Sequence, residues 1–98
     1  MPSTNIYEEI RFRAGRTTVT PAAAAALEAA KVHDIFLLAR HLHGDCGDLG
    51  ERDCLQNKLA VLLELRIVSR YVLPTGSVIR VISEADRSTT TILLCDDY

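Results

Sequence analysis

The stretch that decides the fold is Leu65-Arg66-Ile67-Val68-Ser69-Arg70-Tyr71-Val72, in which the side-chain pattern repeats every two residues. Such alternation is typical of a half-buried β-strand. The turn sequence Leu73-Pro74-Thr75-Gly76 comes next, and a return strand is expected over 78–83. A polar connection at 84–88 leads to a third strand, rich in β-branched residues, over 89–94. The sequence therefore predicts a three-stranded antiparallel meander.

The turn also fixes which residues of the first two strands face each other. It places Arg70 opposite Arg80, and two arginines in such a position repel each other. An anionic group is expected to relieve that repulsion, either Glu84, the terminal carboxylates or a bound partner. The same register predicts the set that faces the core: Leu65, Ile67, Ser69, Tyr71, Ile79, Val81 and Ser83.

Three helices are expected before the meander. Thr20-Pro21 is typical of an N-cap followed by proline at the first helical position, and the alanine-rich run after it favours a helix by propensity. Asp34 can cap a second helix, which Gly44 ends in the left-handed conformation; its apolar stripe is Ile35, Leu38, Ala39 and Leu42. A third helix, capped by Asp48, is expected over about 51–64; its buried stripe is Leu55, Leu59, Leu62 and Leu63.

These elements define an α+β fold, with three helices packed on a three-stranded antiparallel meander and an extra N-terminal strand as an option at one edge. The 98 residues suffice for one hydrophobic core, so we expect a single domain over 20–98 and an arm or edge strand over 1–19. No apolar run is long enough to cross a bilayer, and the first residues lack the features of a signal peptide. A cytoplasmic protein without a membrane partner is therefore expected.

Composition narrows the classes of function. The net charge is −2, and the aromatic residues are three tyrosines and two phenylalanines without tryptophan, which argues against nucleic-acid binding. The three cysteines show no paired spacing, so buried free thiols are expected. The acidic loop that contains Asp45 and Asp48 offers oxygen ligands, but its spacing matches no calcium-binding loop. No metal or cofactor is therefore predicted, and helix capping accounts for the loop.

The connection at 84–88 is the least usual stretch. Glu84 and Asp86 lie beside Arg87 between two strong strands. A carboxylate of this kind, or Asp45, can work with His41 or His43 as acid and base in a small hydrolase. No nucleophile, phosphate-binding or cofactor motif accompanies them, so a turn stabilised by ion pairs is the simpler interpretation.

Several segments resemble a family of small bacterial proteins described as plasmid-related and carried on plasmids and integrating elements. The resemblance covers about residues 18–98, and its most specific part is the stretch Glu84–Ser88. The segments are His43-Gly44-Asp45-Cys46-Gly47-Asp48-Leu49, then Asp53 and Asn57, then Arg66-Ile67-Val68-Ser69-Arg70-Tyr71, then 82–94 around Glu84-Ala85-Asp86-Arg87-Ser88, and Tyr98. The resemblance implies a mobile-element setting and a shared fold, and no activity.

The chain departs from that family at three positions. The family usually has tryptophan where Cys46 stands, often glycine at Glu64 and proline at Cys95. Losing the tryptophan weakens the case for a binding role of the acidic loop. Losing the glycine implies that the third helix ends differently here.

The leading hypothesis is a non-enzymatic module that binds another protein through the exposed sheet face, the acidic loop or the 84–88 turn. Inhibition of host defence, of the anti-restriction or anti-CRISPR type, is one specialisation. The alternatives are the small hydrolase and a homo-oligomer joined through an edge strand at 89–94 or the alanine helix. The candidate binding surface is Asp45, Asp48, Arg70, Arg80, Glu84, Asp86 and Arg87.

Overall fold

The computed structural model describes residues 10–97, which form three α-helices and one four-stranded sheet. The helices are α1 (Pro21–Ala30), α2 (Asp34–Leu42) and α3 (Glu51–Leu62); the strands are β1 (Arg16–Val19), β2 (Ile67–Val72), β3 (Val78–Ser83) and β4 (Thr89–Leu94), and a 3₁₀ turn covers Cys95–Asp97. The predicted α+β class is confirmed. None of the helices in the described range is long and apolar enough to cross a membrane.

The sheet is mixed, with the strand order β1-β4-β3-β2. The meander of β2, β3 and β4 is antiparallel as predicted, and Arg70 does lie opposite Arg80. The sheet has four strands rather than three because β1 pairs in parallel with β4. β4 is therefore an interior strand, and the prediction that residues 89–94 form a free edge is wrong.

Gly15 lets the chain reach β4. It has a φ of +65°, and a Cβ atom there would lie 2.3 Å from the carbonyl oxygen of Arg87. Only glycine adopts this conformation at so close an approach. This turn of the chain at Gly15 brings β1 into parallel pairing with β4.

The main core lies between the sheet and the first two helices. α1 begins as predicted, with the hydroxyl of Thr20 accepting a hydrogen bond from the amide of Ala23. Of the set expected to face the core, all but Leu65 are buried, and Leu65 is half-exposed just before β2. The main cluster consists of Ala23, Leu27, Leu37, Tyr71, Leu73, Ile79, Val81 and Ile92.

α2 turns a different side to the sheet from the one predicted. Its N-cap is His33 rather than Asp34, and its buried residues are Leu37 and His41. Ile35, expected in the buried stripe, is 70 % exposed. A histidine can occupy this core position because the hydroxyls of Ser69 and Ser83 form hydrogen bonds with its two ring nitrogens.

α3 differs most from the prediction. Leu55, Leu59, Leu62 and Leu63, which were expected to be buried, are between 51 % and 78 % exposed. The side that meets the sheet carries Ala60 and Asn57 instead. The amide side chain of Asn57 donates to the carbonyl of Val68 and accepts from the amide of Val68, so one residue fastens α3 to the outer edge of β2.

The rest of that edge is closed by the acidic loop. The amide of Arg70 donates to the carbonyl of Cys46, and the amide of Asp48 donates to the carbonyl of Arg70. The carboxylate of Asp48 accepts from the amide of Val72 at 2.9 Å. Asp48 therefore does not cap α3, whose N-cap is Gly50. Satisfying an edge in this way protects a sheet against pairing with other strands.

A disulfide joins Cys46 in the loop to Cys54 in α3, with the two Cα atoms 5.8 Å apart. The prediction of free thiols is wrong for this pair, because the loop folds back onto the first turn of α3. Cys95 is a free cysteine.

Candidate functional site

A cavity of about 530 Å³ opens between the N-terminal arm, the end of α2, α3 and β2. Its apolar walls come from Phe12 on the arm, from Val61 and Leu62 on α3 and from Ile67 on β2. Its polar residues are Arg11, His41, His43, Asn57, Lys58 and Ser69. We call this space the basic cavity.

His41 and Ser69 form the buried polar floor of the basic cavity and belong to a longer series of hydrogen bonds. Nδ1 of His41 lies 2.6 Å from Oγ of Ser69, and its Nε2 lies 2.9 Å from Oγ of Ser83. Oγ of Ser83 lies 2.7 Å from Oγ1 of Thr90, which donates in turn to the carbonyl of Ala14. All four side chains are buried.

The carbonyl of Ala14, the last acceptor of the series, fixes which group donates in the hydrogen bonds before it. A carbonyl only accepts, so the hydroxyl proton of Thr90 points to Ala14, and Ser83 donates to Thr90. Ser83 then accepts from the Nε2–H of His41. The network therefore places a proton on Nε2, and in the neutral ring Nδ1 is the acceptor.

Burial, together with the nearby positive charge of Arg87, lowers the pKa of His41 to about 4. The imidazole is therefore neutral at pH 7, with its single proton on Nε2. The ring of Phe12 meets the imidazole edge-on, with the centroids 5.1 Å apart.

The charges around the basic cavity have one sign. Arg11 and Lys58 line it, and no aspartate or glutamate among residues 10–97 does. Both cations are exposed, and no carboxylate in the described part of the chain is in ion-pair contact with either. The whole protein has a net charge of −2, so the positive lining of this cavity differs in sign from the average charge of the chain.

A second feature is the exposed apolar side of α3, which we call the leucine face and define as Leu55, Leu59, Leu62 and Leu63. Counting 100° per residue, these positions fall within an arc of about 100°. The arc lies opposite Asn57, through which α3 is fastened to β2. Leu62 belongs to both features, so the face borders the basic cavity.

The predicted site residues of the acidic loop have structural partners. The carboxylate of Asp45 lies 2.7 Å from Nε of Arg40, and this hydrogen bond holds the pKa of Asp45 below its usual value. The hydroxyl of Tyr71 donates to the carbonyl of Asp45, and burial raises the pKa of Tyr71 to about 12. The guanidinium of Arg40 also stacks over the Tyr71 ring.

The facing pair of arginines lies on the sheet face turned away from the helices. Arg70 and Arg80 are partly buried, and neighbouring Ile82 and Leu93 are buried. That face is therefore less exposed than expected. Glu84, one of the three anions proposed for relieving the repulsion, lies 3.7 Å from Arg66.

The 84–88 turn is held mainly by Arg87. Its guanidinium donates to the carbonyls of Leu65 at 2.7 Å, Glu84 at 3.0 Å and Ala60 at 3.1 Å, so it ties the end of α3 to the β3–β4 connection. The carboxylate of Asp86 accepts from the amide of Ser88, and the hydrogen bonds of Ser88 lower the pKa of Asp86.

The structure does not bring the two predicted surfaces together. The acidic loop contacts β2 at Arg70 and Val72, whereas the 84–88 turn follows Ser83, which pairs with Ile67 at the other end of the strand. The positions of Val72 and Ile67 differ by five residues, or about 17 Å along a strand. Asp45 and Asp48 thus form one group, and Glu84, Asp86 and Arg87 another.

The arrangement required for the hydrolase is not seen in the described residues. The hydrogen-bond partners of His41 are serine hydroxyls, and the carboxylates of the prediction contact other groups. Residues 10–97 also contain no cluster of three or more His, Cys, Asp or Glu side chains that could hold a metal. Sequence reasoning missed the buried network, although Ser69 and Ser83 in the core-facing set were its visible signal.

Comparison of the chain with models of known protein families, with curated protein sequences and with solved structures gives no match. The similarity to plasmid-related proteins thus stays a prediction from the residues quoted above.

Proposed function

We propose that this protein is a non-enzymatic interaction module that binds another protein through the leucine face of α3. The observation that carries the proposal is the exposure of its four leucines, between 51 % and 78 % of each residue. Single exposed leucines are ordinary on protein surfaces, but a contiguous group on one helix marks an interaction site.

The spacing of the leucines supports this function. Leu55, Leu59 and Leu62 lie at positions i, i+4 and i+7, the spacing of the anchor residues with which a helix docks into an apolar groove. The helix is also held rigidly from behind, by Asn57 on β2 and by Arg87 on the carbonyl of Ala60. A fixed anchor loses less conformational entropy on binding than a mobile one.

The length of α3 favours a grooved partner over a second copy of this chain. Its 12 residues span about 18 Å, so two such faces laid against each other would bury far less than the roughly 1,200 Å² of a stable interface. A groove encloses the exposed side of the helix and buries more of each leucine. We therefore assign the face to a different protein that presents an apolar groove.

The predicted mobile-element setting suggests that this partner is a bacterial host protein. Inhibition of host defence is the case in which the partner is a restriction or CRISPR enzyme. The cytoplasmic location belongs to the same proposal, since such a partner acts inside the cell.

Capture from bacterial lysate with a matched set of variants tests the proposal. The disrupting variant is Leu55→Lys/Leu59→Lys, because lysine and leucine have similar helix propensity and the change removes only the apolar surface. The control is Ile35→Lys, which alters a residue on α2 that is 70 % exposed. We expect wild type and control to retain one protein that the double variant loses.

Hydrogen exchange on the purified complex then locates the contact. Protection confined to residues 55–63 supports the proposal. Equal capture by the double variant, or no protein retained by any form, overturns it. A wild-type dimer in light scattering that the double variant abolishes would assign the face to a second copy and overturn the choice of partner.

A further inference from the structure

We propose that the basic cavity binds an amphipathic organic anion, with its apolar part among Phe12, Val61 and Ile67 and its charged end between Arg11 and Lys58. This is a ligand site separate from the docking function of the leucine face. Its volume of about 530 Å³ lies within the range of roughly 300–1,000 Å³ typical of small-molecule sites.

The sign of the ligand charge follows from the rim. Arg11 comes from the arm and Lys58 from α3, so two separate elements bring cations to one opening. Among the described residues that line the cavity no carboxylate is present to compensate them. A single-sign opening above apolar walls concentrates oppositely charged ligands and strengthens their ion pairs.

The orientation of the ligand follows from the floor. The proton of Ser69 is donated to Nδ1 of His41, and the Nε2 proton of His41 is donated to Ser83. The side-chain amide of Asn57 donates to the carbonyl of Val68 and accepts from its backbone amide. The protons of Ser69 and His41 are thus taken up within the hydrogen-bond network. The cations that line the cavity, Arg11 and Lys58, therefore place the charged end of the ligand at the rim, and its apolar part points inward.

The apolar walls set the ligand class. Phe12, Val61, Leu62 and Ile67 surround the interior and offer no polar atom of their side chains. A small polar anion such as free phosphate would leave these walls in contact with water, whereas a carboxylate with an alkyl or aromatic body would cover them.

Three eight-carbon probes that differ only in the head group test the proposal on the intact protein: octanoate, octanol and octylammonium. Titration followed by ¹H–¹⁵N NMR gives each affinity and locates each probe. We expect octanoate to bind at least ten times more tightly than octylammonium, with the largest amide shifts at Gly44, Lys58 and Ser69. Octanol should fall between them.

Two charge-removing variants on α3 provide the matched comparison. Lys58→Gln removes a rim cation and should weaken octanoate binding three- to ten-fold. Arg52→Gln removes an exposed cation that does not line the cavity and should change it less than two-fold. Equal affinities for the three probes, or equal effects of the two variants, would overturn the proposal, as would shifts confined to Leu55 and Leu59. Because those leucines do not line the cavity, loss of partner capture through them leaves this result unaffected.

Discussion

Nδ1 of His41 accepts a hydrogen bond from Oγ of Ser69 across 2.6 Å, and the same imidazole reaches Ser83 on the next strand. One side chain of α2 thus joins two strands of the sheet from inside the core. The neutral ring fits this position because each nitrogen has one hydroxyl partner. A protonated ring would have two donors, and the Ser69 proton would have to turn away.

This relationship predicts a specific pH dependence of stability. The pKa of His41 falls from 6.5 to about 4 on folding. Above pH 6.5 the residue is neutral in both states, and its contribution is fully present. Between pH 6.5 and 4 only the unfolded chain takes up the proton, so the free energy of unfolding falls by about 3 kcal/mol through this residue.

Chemical denaturation of wild type and His41→Gln at pH 7 and pH 4 measures the effect. The variant cannot titrate at this position, so the stability difference between the two proteins should shrink by about 3 kcal/mol at pH 4. A difference that stays constant with pH would show that the histidine is accessible to protons in the folded protein.

A second prediction concerns Gly47 of the acidic loop, which has a φ of +70°. A Cβ on Gly47 would lie 2.1 Å from the carbonyl oxygen of Arg70 and 2.5 Å from the Tyr71 ring, whereas one on Gly76 would meet nothing. Both residues have positive φ. Gly47→Ala should therefore lower the free energy of unfolding by about 3 kcal/mol and Gly76→Ala by only about 1 kcal/mol. Similar losses would mean that the loop is not packed on β2.

The end of α3 predicts a stabilising change. Glu64 has a φ of +55°, and the amide of Leu65 donates to the carbonyl of Ala60 at 2.8 Å, which is the hydrogen bond of a Schellman motif. Glycine adopts this conformation without strain, so Glu64→Gly should raise the free energy of unfolding by about 0.5–1 kcal/mol. Glu64→Ala removes the charge without the conformational freedom and should give no gain. An equal gain in both would assign the effect to charge.

The disulfide predicts a loss of stability on reduction. Cys46 and Cys54 close a loop with a sequence separation of eight residues, which corresponds to about 2–3 kcal/mol from restricting the unfolded chain. Thermal or denaturant unfolding with and without reductant measures it, and Cys54→Ser should reproduce the reduced value. Cys95→Ser is the control and should respond to reductant like wild type.

The meander could be predicted because its strands and turn are determined by residues that are close in sequence. The two-residue alternation around Ile67 and Tyr71 and the Pro74–Gly76 turn together fix one register, and a slip would turn the apolar side chains to water. β1 could not be assigned in the same way. Its four residues gain their structure only from pairing with β4, a contact of more than 70 positions in sequence.

The side of α3 that meets the sheet could not be predicted from periodicity. A stripe of leucines shows that a helix is amphipathic, but it does not say whether the stripe meets its own core or a partner. Asn57 decides the orientation, through two hydrogen bonds to a backbone whose position depends on the whole sheet. The same holds for Asp48, which could cap α3 by sequence and instead binds the amide of Val72.

The proposed docking surface requires the leucine face to lie outside the core, and the stability of Leu55→Lys/Leu59→Lys tests this directly. If the leucines bind a partner, both side chains are in water in the isolated protein. The free energy of unfolding of the double variant should then remain within about 1 kcal/mol of wild type. Burial of two charged residues in a core would instead cost more than about 4 kcal/mol. A loss of that size would place the leucines inside the fold and contradict the proposed docking surface.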